Sequence, residues 1–287
     1  MARTAITTDS GVVVNYEGVP TIPLVIVNEE AGMTYRDQLE IQVPDVYALQ
    51  DQGYRTTTSC MTPYDMEAFF REQLERHEQL LHLCISDKIS AGSNACSNMV
   101  AKELAPDRIR VINTRQGGAG GVQVVLRALE AAQQEPDLGR LTEWVDQDLI
   151  PRIKTQFIVP DPSGYRRSGK GVMNTFMNIG ISAMTSGGGT PLIYMTKSGK
   201  MMPYAKLKPG RESRYIAFAK SVLNKRARME DMRISVATLH PDEAEVQELR
   251  EWLAAEGFEA SFDTMGAIIS CYACRNALGI SYLQKAR

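Results

Sequence analysis

The chain has 287 residues, 44% hydrophobic and 23% charged, a make-up that excludes a disordered protein and leaves enough apolar material for a real core. Its 32 lysines and arginines stand against 34 acidic residues, so a formal charge of -2 gives no overall footprint for nucleic acid or an anionic membrane surface. The opening MARTAITTDSGVVV lacks the apolar run of a leader, no stretch is apolar enough to span a membrane, and five scattered cysteines suit reduced thiols; a cytoplasmic protein without stable membrane insertion or disulfides is expected.

In chain order, TAITT and IPLVIV read as strands. Residues 44–52 read as a short helix closed by Gly53, and TPYDMEAFFREQLERHEQ as a helix with Thr62 as N-cap and Pro63 at its first position. LLHLCIS then reads as a strand, 93–104 as a helix, IRVINT as a strand and 122–133 as a helix, a β-α-β-α-β series that yields a parallel sheet covered by helices. GRLTEWVDQDLIPRIK has the pattern of an amphipathic helix and TQFIVP that of a strand. PLIYMTKSGKMMPYAKL predicts a hairpin turning at 197–200, followed by a long basic helix over 211–229. MRISVATL reads as a strand, PDEAEVQELREWLAAEG as a helix with a glycine stop, and the terminal ALGISYLQKAR as helix-forming. The expected architecture is α/β in two domains, residues 1–156 with a parallel sheet and 157–287 with a mixed one.

Several short segments carry candidate chemistry. SGYRRSGKG, residues 163–171, matches the phosphate-binding P-loop up to its last position, where Gly171 replaces the hydroxyl that would hold magnesium. TTTSCMTP, residues 56–63, places Thr58 and Ser59 just before a helix N-terminus, where unpaired N–H groups favour an anion; N-capping alone is the plainer alternative. ISDKISAGSN, residues 85–94, places Ser90 and Gly92 between a strand and the next helix, and ligands collect at that carboxyl end of an open α/β sheet. GGAGG, residues 117–121, lacks the spacing of a dinucleotide-binding turn and is explained by close backbone packing. CYAC, residues 271–274, has no second cysteine pair or neighbouring histidines, which points to inert thiols before redox or metal chemistry. None of the three histidines stands beside a plausible nucleophile. Met173, Met177, Met184, Met195, Met201 and Met202 would suit an adaptable apolar cavity or simply the core.

As a whole the sequence resembles the DegV family of bacterial fatty-acid-binding proteins. ITTDSG, IPLVIVNEEAGMTYRDQLEI, TSCMTP, ISDKISAGSNA, RVINTRQGGAGG, FIVPDPSGYRRSGK and GAIISCYACRNALGISYL follow the family's order and spacing almost from end to end. The resemblance implies no nucleotide site at GYRRSGK, no cofactor, and a fatty-acid ligand between the two domains. It implies a carboxylate held by the hydroxyls of Thr58 and Ser90, with Ser59 and Gly92 in the same loops and Arg167 near the site. Some members hold the acid while a separate ATP-binding kinase subunit phosphorylates it, which makes such a subunit an expected partner. This chain departs from the family where SCYACRN replaces G-T-H-T-G-P-G, so that Tyr272 stands in the place of a histidine tied to that partnership. Tyrosine stays neutral near pH 7 and cannot copy an imidazolium charge. Two other functions remain open from the sequence: a sensor of lipid occupancy without a kinase, and an enzyme using Cys271 or Cys274.

Overall fold

A computed structural model describes residues 4–12, 16–160, 185, 188–224, 226–240, 242–272 and 275–286. β1 (Thr4–Asp9), β2 (Thr21–Ile22), β6 (Gln79–Cys84) and β7 (Ile109–Asn113) form a parallel sheet in the order β2-β1-β6-β7. Every residue of β1 is buried, as a parallel strand covered on both faces requires. β3 (Val25–Asn28), β4 (Met33–Arg36) and β5 (Thr56–Ser59) make a small antiparallel sheet in the order β4-β3-β5. The third sheet has six strands, β8 (Ile153–Ile158), β9 (Thr190–Met195), β10 (Met201–Leu207), β11 (Met229–Thr238), β12 (Glu259–Thr264) and β13 (Leu278–Gln284), ordered β10-β9-β8-β13-β11-β12. Only β11 and β12 pair in parallel there, so the sheet is mixed.

The helices are α1 (Val43–Asp51), α2 (Pro63–Arg76), α3 (Ala91–Leu104) and α4 (Ala119–Gln134). Next come α5 (Leu138–Glu143), a π-helical turn over Trp144–Leu149, α6 (Ile150–Arg152), α7 (Arg214–Leu223), α8 (Ala244–Ala255) and α9 (Ala267–Ser270). α4 lies between the two large sheets, packing on β1 from one side and on β8, β11 and β13 from the other. The glycines of its first turn permit that approach: a Cβ on Gly120 would fall 2.3 Å from both Gln116 Oε1 and Thr155 Oγ1, and one on Gly121 would fall 2.7 Å from the Val12 carbonyl oxygen. Close packing is therefore what GGAGG provides.

Three expectations fail for identifiable reasons. IPLVIV is two strands in two sheets, because Pro23 has no N–H to continue a ladder and the Leu24 N–H donates to Ser10 Oγ (3.0 Å) instead. The basic helix is cut to Arg214–Leu223, and after a 3-10 turn at Arg226–Arg228 the chain is already strand from Met229. The terminal ALGISYLQKAR is not a helix; it supplies β13, buried between β8 and β11, where pairing along both edges and burial of both faces outweigh local helix preference. The hairpin of β9 and β10 does turn at the expected place, and the Ser86 hydroxyl donates to the Gly199 carbonyl at its tip (2.8 Å).

Candidate functional site

At the carboxyl end of β1, Asp9 is wholly buried. Its Oδ1 accepts from the Gly11 N–H (3.0 Å), and its Oδ2 accepts from the Ile85 N–H (3.1 Å) and the Ser93 hydroxyl (2.6 Å). Burial pushes its carboxyl up to about 6 while those donors pull it down. One side chain thus ties the ends of β1 and β6 to the first turn of α3. Reasoning from sequence gave Asp9 no role; the only signal was an aspartate, serine and glycine directly after a strand.

Thr58 sits on β5, opposite Ile26 of β3, with its side chain half-buried; Ser59 is exposed. The Tyr272 hydroxyl reaches it from the far end of the chain. It accepts from the Thr58 N–H (3.1 Å) and shares a second hydrogen bond with Thr58 Oγ1 (2.8 Å). The two hydroxyls own two hydrogens and spend one on each other, so one hydroxyl hydrogen remains to be donated outward. Burial raises the Tyr272 hydroxyl above its ordinary value, and Glu29 adds to the rise, so it stays protonated. Tyr272 directly follows α9 and Cys271, and its N–H donates to the Ile269 carbonyl (3.0 Å) of that helix. Gln50 Nε2 bridges the same region, donating to Thr56 Oγ1 (3.0 Å) and to the Ser270 carbonyl (3.3 Å).

Ser90 is the N-cap of α3, yet its hydroxyl makes no capping bond. The first N–H groups of α3 and the positive end of its dipole therefore lie beside a hydroxyl that caps none of them. Gly92 lies in that first turn and touches the loop after β5: a Cβ on it would be 2.9 Å from Cys60 Sγ. Thr58, Ser59, Ser90, Gly92 and Tyr272 thus belong to segments that the fold brings side by side. Arg167 lies outside the described residues, as do the whole of SGYRRSGKG, Met173, Met177, Met184 and Cys274.

Thr58 reaches the site by a route the sequence reading misplaces. It is not in the entry loop of α2 but on an antiparallel strand, and it does not share an edge with Ser90 in the parallel sheet. The N-terminus of α2 is closed by a capping box, with Thr62 Oγ1 accepting from the Asp65 N–H (3.1 Å) and the Asp65 carboxylate accepting from the Thr62 N–H (3.3 Å). With an acidic first turn it offers nothing to an anion. The Cys271 thiol is buried and pushed up to about 12 by that burial. His82 is buried against Phe69 and Phe70, and burial pulls its imidazole down to about 3. Among the described methionines of the second half, Met195 is core, Met201 packs against that core and Met202 is exposed.

Apolar side chains from both halves meet beside these hydroxyls. One cluster includes Ile26, Met61 and Phe70 together with Ile193, Met195 and Ile268, and Tyr272 and Cys60 pack against it. The molecule is thus an α/β protein with a parallel and a mixed sheet and a hydroxyl-bearing site at the border of an apolar cluster. A family model described as an uncharacterised protein of the DegV family matches residues 3–285, and the chain belongs to the DegV family. A DegV domain-containing protein of Streptococcus pyogenes serotype M1 is 24% identical over 235 residues, covering 79% of this chain and 78% of its own length. A structure from Thermus thermophilus, described as fatty acid binding of a DegV family protein, superposes with a TM-score of 0.81 at 23% identity, covering 99% of this chain and 100% of its own. The Streptococcus pneumoniae fatty acid kinase B3 protein, loaded with linoleic acid, superposes with a TM-score of 0.78 at 17% identity over 98% of this chain and 99% of its own. Among the described residues no helix is long and apolar enough to cross a membrane.

Proposed function

We propose that the protein binds one long-chain fatty acid in the cytoplasm, its carboxylate at Thr58, Tyr272 and Ser90 and its tail along the apolar cluster between residues 1–156 and 157–287. The observation that carries the reading is the Thr58–Tyr272 pair, which joins the two halves of the chain and keeps one hydroxyl hydrogen in hand. With the Ser90 hydroxyl, which makes no capping bond, and the N-terminus of α3, it makes a donor set suited to an acceptor-only head group. Ser59 and Gly92 flank that set, and Arg167 is assigned to it through the family resemblance alone. The fatty acids bound by the structural neighbours support the same ligand class. In this reading the protein is a carrier without a cofactor and presents its ligand to an ATP-binding kinase subunit, as the kinase neighbour suggests. A neutral Tyr272, committed to Thr58, favours a second reading in which lipid occupancy is sensed without a kinase.

The test is direct binding of a long saturated acid and of acetate, by the wild type and by Thr58→Ala/Ser90→Ala. Each buried methylene adds roughly 0.8 kcal/mol, so the long acid binds and acetate does not. Removing two charge-assisted hydrogen bonds, at roughly 1.5 kcal/mol or more each, lowers affinity for the long acid by about a hundredfold. Equal binding of the two acids removes the lipid reading, and an unchanged double variant places the carboxylate elsewhere.

A further inference from the structure

Cys60 is used neither by the fold's polar ties nor by the proposed head-group site, yet it lies between them. It follows Ser59 at the end of β5, and its thiol is half-buried. A Cβ on Gly92 would stand 2.9 Å from its Sγ and 3.4 Å from its Cβ, so Cys60 rests on the first turn of α3. Cys96 is four residues further along that helix, on the same face, where side chains of neighbouring turns have Cβ atoms about 5–6 Å apart. Helical side chains lean towards the N-terminus, which turns the Cys96 sulfur back towards Gly92 and Cys60. Cys96 is 8% exposed and belongs to the apolar cluster against which Cys60 packs. Burial first, and then Cys60 itself, raise the Cys96 thiol, a second sign that the two sulfurs sense one another.

We propose that Cys60 and Cys96 are a redox pair that closes an intramolecular disulfide when the protein meets hydrogen peroxide. The half-buried Cys60 sulfur attacks one peroxide oxygen, the O–O bond breaks, and the products are a sulfenic acid and water. The Cys96 sulfur then attacks the Cys60 sulfur, the S–O bond breaks, and a second water leaves, so two thiols and one peroxide become one disulfide and two waters. Bridged cysteines need Cβ atoms about 3.5–4.5 Å apart, so the loop after β5 has less than one helical turn to travel along α3. The bond would pin that loop between Thr58 and Ser90. The inference does not rest on the lipid reading, since the bond forms or fails to form whatever the site holds.

The full chain is incubated with and without peroxide, its remaining thiols are alkylated, and it is digested without reductant for mass spectrometry. Expected is a peptide pair joined through Cys60 and Cys96, lost on treatment with dithiothreitol and absent from Cys60→Ser and from Cys96→Ser, with the thermal midpoints of both variants confirming that they fold. The proposal is overturned if both thiols stay open to alkylation, if Cys60 ends as a sulfinic acid with Cys96 free, or if the link runs to the deeper Cys84 or to a second chain.

Discussion

Two of the places that join the early and late parts of the chain do so by opposite means. At α4 the join is made by shape. Gly120 and Gly121 let the helix touch both large sheets, and the polar groups enclosed there bond mostly to one another, with Thr155 Oγ1 donating to Gln116 Oε1 (2.8 Å) and meeting Ser281 Oγ (3.1 Å), and Gln123 Nε2 donating to Ser235 Oγ (3.1 Å). At β5 the join is made by hydroxyls, half-buried, with one hydrogen left over. A join made by close packing of backbone holds a fold; a half-buried join with a donor in reserve can hold a ligand. Changes at the first should therefore alter stability and spare affinity, and loss of the outward donor at the second should do the reverse.

The largest effect belongs to Asp9, which stands between the two regimes because it is fully paired yet anchors the first turn of α3. Its folded value of about 6 lies above the ordinary 3.8, so folding favours the protonated form. The stability this contributes is complete below about pH 4 and is lost as pH rises through about 6, some 3 kcal/mol in all. Asp9→Asn should flatten that part of the curve of unfolding free energy against pH. A variant that keeps the wild-type slope between pH 4 and 6 would assign the proton to another group and leave Asp9 a simple tie.

Gly121→Ala comes next. A methyl there would face the backbone of Val12 at 2.7 Å, and backbone cannot swing aside as a side chain can. Overpacking of this kind costs about 2 kcal/mol, to be read from the denaturant midpoint. Fatty-acid affinity of the variant, measured where it is still folded, should match the wild type. A large loss of affinity would show that the shape-made join and the hydroxyl-made join are one unit.

The contrast also explains what could be read without coordinates. α2 was legible because Thr62, Pro63 and Asp65 state its start locally, and GGAGG because an absence of side chains has one common use. β13 was not, since its residues are acceptable in a helix and only the vacant place between β8 and β11 makes them a strand. β5 was missed for a similar reason: TTTS has no apolar alternation, and its pairing with β3 depends on Pro23 having diverted the chain into a second sheet. Thr58 and Ser90 could be singled out as hydroxyls near helix starts, but the bond from Tyr272 to Thr58 spans most of the sequence and leaves no trace in either segment.

The smallest effect decides which hydroxyl of that pair faces the ligand. A phenol is the better donor and an aliphatic hydroxyl the better acceptor, because the ring withdraws density from the phenolic oxygen. Tyr272 already accepts from the Thr58 N–H, so its own hydrogen should go to Thr58 Oγ1, and the hydrogen left for a carboxylate is then that of Thr58. Thr58→Val removes that donor outright and should cost the charge-assisted bond, roughly 1.5 kcal/mol or more in affinity. Tyr272→Phe removes only the support. Its cost should appear chiefly as about 1 kcal/mol of folding stability, with a few-fold loss of affinity as Thr58 turns more freely. Calorimetric titration of one fatty acid against both variants, beside their unfolding curves, separates the two arrangements. If Tyr272→Phe weakens binding as much as Thr58→Val, the chain of donors runs the other way, from Thr58 through Tyr272 to the ligand.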